Sequence, residues 1–279
     1  MVYYIRLERL SARDYVKNLI MLININGWIS KIPFIKKIYS RILNIILNSK
    51  KEFVVNFKNI RLFINIKDPI DKIIFYKNEY EEKQIKFLSD WTKKNKPNIF
   101  IDIGANFGVY SLRISKLFQM LKVIAFEPVL TTFNKLKMNI KINNLGKRIK
   151  TYNVGLSNSN GLKKMIALKR RNYIQSGGFS FNVPRRKLND EDVIQYHKSI
   201  KGDGVLKFNK KKIVIKIDVE GYENKVLLGI KNLLKNNKIL LQIEIFNNNF
   251  KKINKLLLKQ NFKLINKFHK TSDYFYINH

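Results

Sequence analysis

Carboxylates set near the ends of apolar runs are the residues best placed to do chemistry in this chain. "FIDIGANFG" places Asp102 late in such a run, ahead of Gly104, Asn106 and Gly108. Roughly twenty residues on, the spacing at which an acid follows a nucleotide-binding loop, "VIAFEP" closes on Glu127 and Pro128. Farther along, "IVIKIDVEGY" carries Lys216, Asp218 and Glu220.

A glycine loop between a strand and a helix offers free amides and a partial positive charge to a ligand. A dinucleotide site wants G-x-G-x-x-G, whose second glycine lets the backbone approach the pyrophosphate. Asn106 stands in that place, so tight pyrophosphate packing is disfavoured. Asp102 is wrong for cradling phosphate and right for an ammonium. Glu127 is placed to accept hydrogen bonds from both hydroxyls of a ribose, and Pro128 stiffens the turn after it. An ammonium, a ribose diol and no phosphate describe S-adenosylmethionine.

These residues need a frame. Strand patterns cover Asn98–Ile103, Lys122–Glu127, Ile149–Val154, Ile213–Asp218 and Ile239–Phe246, with helical spacing at 109–118, 131–142, 223–234 and 250–260. Nearly continuous apolar strands alternating with amphipathic helices argue for a parallel sheet covered on both faces. "FKLINKF" and "DYFYIN" close the chain with no helix between them, so an antiparallel strand is expected at the end. In doubly wound sheets the ligand lies outside the carboxyl ends of the strands, here at the switch between strands one and two.

Before this rhythm, residues 1–51 read as a basic helical extension, and 52–84 as a hairpin around Lys58-Asn59 with a lead-in helix. The remaining 85–279 form the main domain, with 158–212 as an insertion on the acceptor side.

The chain's 55 Lys+Arg against 20 Asp+Glu give a net charge of +35, which attracts RNA, acidic lipid or acidic glycan. Lys, Asn and Ile recur everywhere, so compositional bias is the competing explanation. Cysteine is absent among the 279 residues, which removes disulfides, thiolate metal sites and cysteine nucleophiles. His197, His269 and His279 are scattered, with no metal-ligand spacing. No apolar run reaches the roughly 18–20 residues of a membrane span, and no export signal is legible. A cytoplasmic protein is expected, peripheral at the inner face of the membrane in one reading.

Taken in order, "FIDIGANFGVYSL", "VIAFEP", "NVGLSNSNG", "KLND" and "VIKIDVEGYENKVLLG" resemble the FkbM-type methyltransferases, over roughly residues 75 to 279. The resemblance implies the Rossmann-like class I fold, a mostly parallel seven-stranded sheet with an antiparallel last strand. It implies S-adenosylmethionine as cofactor and a hydroxyl on a sugar, glycan or related metabolite as acceptor. By position it assigns Asp102, Gly104, Asn106 and Gly108 to the cofactor loop and Glu127 to the ribose. Asn153, Gly155 and Leu156 fall where adenine packs, and Glu82 matches an acid ahead of the first strand. Asp218 and Glu220 match a "DVEG" signature, with Lys216 at the same strand end. Gly155 departs from the more usual alanine.

Methyl transfer from a sulfonium is an in-line displacement governed by positioning, and a sugar hydroxyl benefits from a base within about 3 Å. Asp218 and Glu220 alternate at a strand end, and their mutual repulsion would raise one pKa to a useful value. In the plainer reading Glu220 caps the next helix and Asp218 holds only cofactor. Nothing in the spacing demands a divalent metal, and no metal ligand is assigned.

Within the insertion, Tyr173, Phe179 and Phe181 can stack on a sugar or a base. Arg170, Arg171, Arg185 and Arg186 can pair with an anionic group. An RNA acceptor is the rival expectation, as is a non-catalytic membrane-associated binder. Against RNA, no (D/N)PPY-type motif is present. The isoleucine stripe over residues 33–51, flanked by lysines, suits either a core contact or an anionic membrane surface.

Overall fold

The structure is a computed structural model that describes residues 52–167, 179–180, 192–268 and 271–279. The chain divides into two units, Met1–Lys51 and Glu52–His279, and every described residue belongs to the second. The stripe over 33–51 lies outside the described residues.

A hairpin of β1 (Glu52–Phe57) and β2 (Ile60–Asn65) opens this unit, turning at Lys58, whose φ is 50°. Ile60, Leu62 and Ile64 alternate inward and are buried. Two helices follow. The first, α1 (Pro69–Lys77), starts on Asp68, whose carboxylate accepts the Ile70 amide at 2.8 Å, with proline in the first turn. The second, α2 (Glu82–Asn95), begins after Glu81, held at φ 46°. The helical spacing of "NEYEEKQIKFLSDWTKK" marks α2 in the sequence, whereas the signal for α1 is the Asp-Pro pair.

The rhythm then runs β3 (Ile99–Ile103), α3 (Val109–Leu117), β4 (Lys122–Phe126), α4 (Leu130–Ile142) and β5 (Ile149–Tyr152). After β5 the chain leaves the main sheet. β6 (Gly155–Ser157), β7 (Gly161–Ala167), β8 (Phe179–Ser180) and β9 (Val193–Lys201) form a second sheet in the order β6-β9-β7-β8. Among the described residues of the stretch expected as an insertion, Gly161–Ala167 and Val193–Lys201 are strands, paired β7 to β9 from Gly161↔Ser199 to Ala167↔Val193. Neither strand shows a clean two-residue alternation, since β7 is open at its start and buried at its end and β9 is exposed or half-buried along nearly all its length.

β10 (Lys212–Ile217) rejoins the main sheet. Where one helix was expected over 223–234 there are two, α5 (Glu223–Gly229) and α6 (Lys231–Asn236). The chain ends with β11 (Lys238–Glu244), α7 (Asn247–Leu258), β12 (Lys263–Lys267) and β13 (Asp273–Ile277).

The main sheet has seven strands in the order β12-β13-β11-β10-β3-β4-β5. β13 is antiparallel to both neighbours, and the pairs from β11 through β5 are parallel. This is the Rossmann-like class I arrangement expected. Every residue of β3 is buried, as are Ile213 through Ile217 of β10, because helices cover both faces. The chain steps from β3 out to β5 and returns at β10, so the switch lies between β3 and β10, not between the first two strands as expected. Among the described residues no helix is long and apolar enough to cross a membrane.

Candidate active site

At that switch a cavity of about 280 Å³ opens over the carboxyl ends of β3, β4, β10 and β11. Its floor is the loop after β3. Gly104 has φ 82°, and a Cβ there would lie 1.9 Å from the backbone oxygen of Asp218, so only glycine lets β3 and β10 leave the sheet side by side. Gly108, at φ 94°, starts α3, and a Cβ would lie 2.4 Å from Leu136 Cδ1.

Asp102 is buried under the loop and accepts from Ser111, at 2.6 Å from the hydroxyl and 3.2 Å from the amide. Both bonds use Oδ2, while Oδ1 is buried without a partner. Burial raises its pKa, and Lys216, paired with it in the strand register, pulls the other way. An orphan carboxylate oxygen in the cavity wall is a fit for a ligand's ammonium.

Glu127 ends β4. Its Oε2 accepts the Asn106 amide at 3.0 Å and its Oε1 the Val129 amide at 2.9 Å, tying the glycine loop to the acidic turn. Each oxygen keeps a lone pair for a ligand hydroxyl. Burial lifts its pKa to about 7.

Opposite them, Lys216 reaches up from β10, buried, with Nζ 2.8 Å from Asp218 Oδ2 and 4.6 Å from the Tyr110 ring centre. Burial alone would lower its pKa, but Asp218, Glu81 and Asp102 hold it well above the ordinary value. Asp218 behaves inversely. Burial pushes it up, yet Lys216 and a hydrogen bond with Glu244 keep it below the usual range. Glu244, at the end of β11, is driven to about 10 by burial and by Asp218, so it holds the proton the pair shares. Glu220, at φ 52° in the turn after β10, is raised to about 7 by burial and then by Asp218 and Glu223. Oxygens of Asp218, Glu220 and Glu244 all lie within 4.8 Å of one another. A cation could sit among them, although Lys216 already brings a positive charge to that spot.

The cavity thus gathers Asp102, Gly104, Asn106, Gly108, Glu127, Lys216, Asp218, Glu220 and Phe179. Others expected at the site stand elsewhere. Glu82 points to Arg113, which grips it at 2.8 and 3.1 Å. The acid in the cavity wall is Glu81, one residue earlier, turned inward by its left-handed backbone and bonded by the Tyr110 hydroxyl at 2.5 Å. Asn153 braces the acidic turn from behind, its Nδ2 donating to the carbonyls of Glu127 and Pro128 at 2.9 and 3.0 Å. Gly155 and Leu156 belong to β6, with Leu156 in the hydrophobic core. Arg170, Arg171, Tyr173, Phe181, Arg185 and Arg186 lie outside the described residues.

Sequence reading missed Glu81, Glu244, Tyr80, Tyr110 and Met165. Glu244 carried the same signal as Asp102, an acid closing a buried strand in "ILLQIE". Tyr110 carried none; its place follows from Gln242, whose Nε2 donates to the Tyr110 oxygen at 3.0 Å and to Asp273 at 2.8 Å.

Residues 102–264 match the methyltransferase FkbM domain. Methyltransferase sdnD of Sordaria araneosa is 26% identical over 157 residues, which cover 47% of this chain and 59% of that protein. Among solved structures, the precorrin-6y C5,15-methyltransferase of Geobacter metallireducens is similar at 10% identity, covering 71% of this chain and 88% of the other with a TM-score of 0.42. Ribosomal protein L11 methylase of Lactobacillus delbrueckii subsp. bulgaricus is similar at 14% identity, covering 71% and 78% with a TM-score of 0.41.

Proposed function

The chain belongs to the FkbM methyltransferase family, and on that premise we propose that it methylates a hydroxyl of a sugar, glycan or related metabolite, with S-adenosylmethionine as the methyl donor. One observation carries the reading. A single cavity joins an ammonium-and-ribose side, Asp102 and Glu127, to a carboxylate side, Asp218, Glu220 and Glu244. The cofactor, when bound, supplies a sulfonium-activated methyl group. Asp102 Oδ1 and Glu81 would hold its ammonium end, and Glu127 its ribose hydroxyls.

The chain's own residues do the rest. Asp218 is locked by Lys216 on one side and the proton shared with Glu244 on the other. It therefore serves to place charge and hold geometry. Glu220, with a pKa near neutrality, is the group able to take a proton from an acceptor hydroxyl and return it to solvent. A cavity end rich in carboxylates calls for hydrogen-bond donors, which a polyol supplies. Phe179 offers a ring for the apolar face of a sugar.

Calorimetric titration with S-adenosylmethionine and with NADH tests the cofactor half. Saturable binding of the sulfonium and none of NADH is expected. The reverse result would overturn the reading.

A further inference from the structure

Two strands of the second sheet carry exposed side chains that do not line the cavity. In β7 and β9, cross-strand partners Leu162↔Lys198, Lys164↔Tyr196 and Ile166↔Ile194 share one face. Met165 and Phe179, which line the cavity, lie on the opposite face by the same alternation. On the outer face Leu162 is 70% exposed, Tyr196 65% and Ile194 44%, with exposed Lys164 and Lys198 set between them, while Ile166 at the far end of β7 is buried. Neither strand carries a carboxylate.

We infer that this face docks on an anionic lipid bilayer, which would place the roof of the cavity at the membrane surface. The residue types choose the partner. Large aliphatic side chains left in water gain by entering the interfacial region, tyrosine sits well at that depth, and lysines pair with lipid phosphates while their stems stay apolar. A second copy would set lysines against lysines in a two-fold contact. A nucleic-acid platform would use stacking rings, and two of the three exposed apolar side chains cannot stack. The inference is independent of which acceptor is methylated.

The full-length chain has no cysteine, so Leu162→Cys places a single environment-sensitive fluorophore on the face. Met120→Cys places one on the exposed turn before β4 as a reference. With vesicles of phosphatidylglycerol and phosphatidylcholine, the label at 162 should shift to the blue and become at least about threefold less accessible to an aqueous quencher. The label at 120 should not change. Lys164→Glu with Lys198→Glu, in the labelled protein, should raise the lipid needed for half response about tenfold.

Vesicle binding with the 162 label still freely quenched would overturn the inference, since another surface would then be docking. So would a response to single-stranded RNA but not to vesicles. Protection without lipid that grows with protein concentration would show a second copy on the face and would equally overturn it.

Discussion

Lys216 Nζ stands 2.8 Å from Asp218 Oδ2, two residues along the same strand end, and this pairing divides the labour among the neighbouring carboxylates. Asp218 is held ionised, Glu244 keeps a proton at about 10, and Glu220 is left to titrate at about 7.

Glu220→Gln should therefore lower kcat by roughly 10²–10⁴-fold, the range for losing a general base, with cofactor affinity unchanged. In the wild type, kcat should rise with pH through about 7 as Glu220 loses its proton, and the variant should lack that limb. Single-turnover kinetics beside calorimetry check both. Equal losses in turnover and cofactor affinity would assign Glu220 to cofactor binding.

Glu127 joins two backbone amides to the ribose position. Glu127→Ala should weaken S-adenosylmethionine binding about ten- to a hundred-fold, or about 1–3 kcal/mol. Calorimetry measures the affinity, and a thermal melt separates a lost contact from a collapsed loop.

At Gly104 an added Cβ meets a backbone oxygen that cannot swing aside. Gly104→Ala should cost about 2 kcal/mol or more of stability and abolish cofactor binding. Gly146→Ala, where nothing lies within 4 Å, should stay within about 0.5 kcal/mol of the parent. Urea unfolding compares them.

Glu81 carries a pKa raised to about 7 by burial, although Lys216 opposes the shift. A folded-state pKa above the ordinary 4.5 means the folded protein binds this proton more tightly. Its contribution to stability is complete below about pH 4.5 and lost as pH rises through about 7. Glu81→Gln stays neutral and can still accept from Tyr110. Its stability, by urea unfolding, should decline less than that of the parent over this interval and exceed it above the upper end.

The frame of this molecule was legible because its determinants are local. An apolar run such as Ile213–Ile217 buries itself, and Gly104 and Gly108 announce backbone that other residues cannot adopt. Asp102, Glu127, Asp218 and Glu220 were legible for the same reason, since each lies at or just past the end of a strand that periodicity had already located. Glu81 against Glu82 was not legible. One left-handed residue turns the first inward and leaves the second to Arg113, and neighbouring glutamates look alike in sequence. Asn153 was read as a contact and is a brace, a distinction fixed by which carbonyls lie behind the turn. The second sheet was concealed because its lysines face solvent and read as loop.

Methyl transfer to a hydroxyl is tested most directly with S-adenosylmethionine carrying an isotopically labelled methyl group, incubated with the protein and separated glycan, metabolite and RNA fractions. The expected result is label in an alkali-stable methyl ether on a sugar of the glycan or metabolite fraction, lost with Glu220→Gln. Label confined to RNA bases, or no transfer to any fraction by a protein that binds the cofactor, would contradict it.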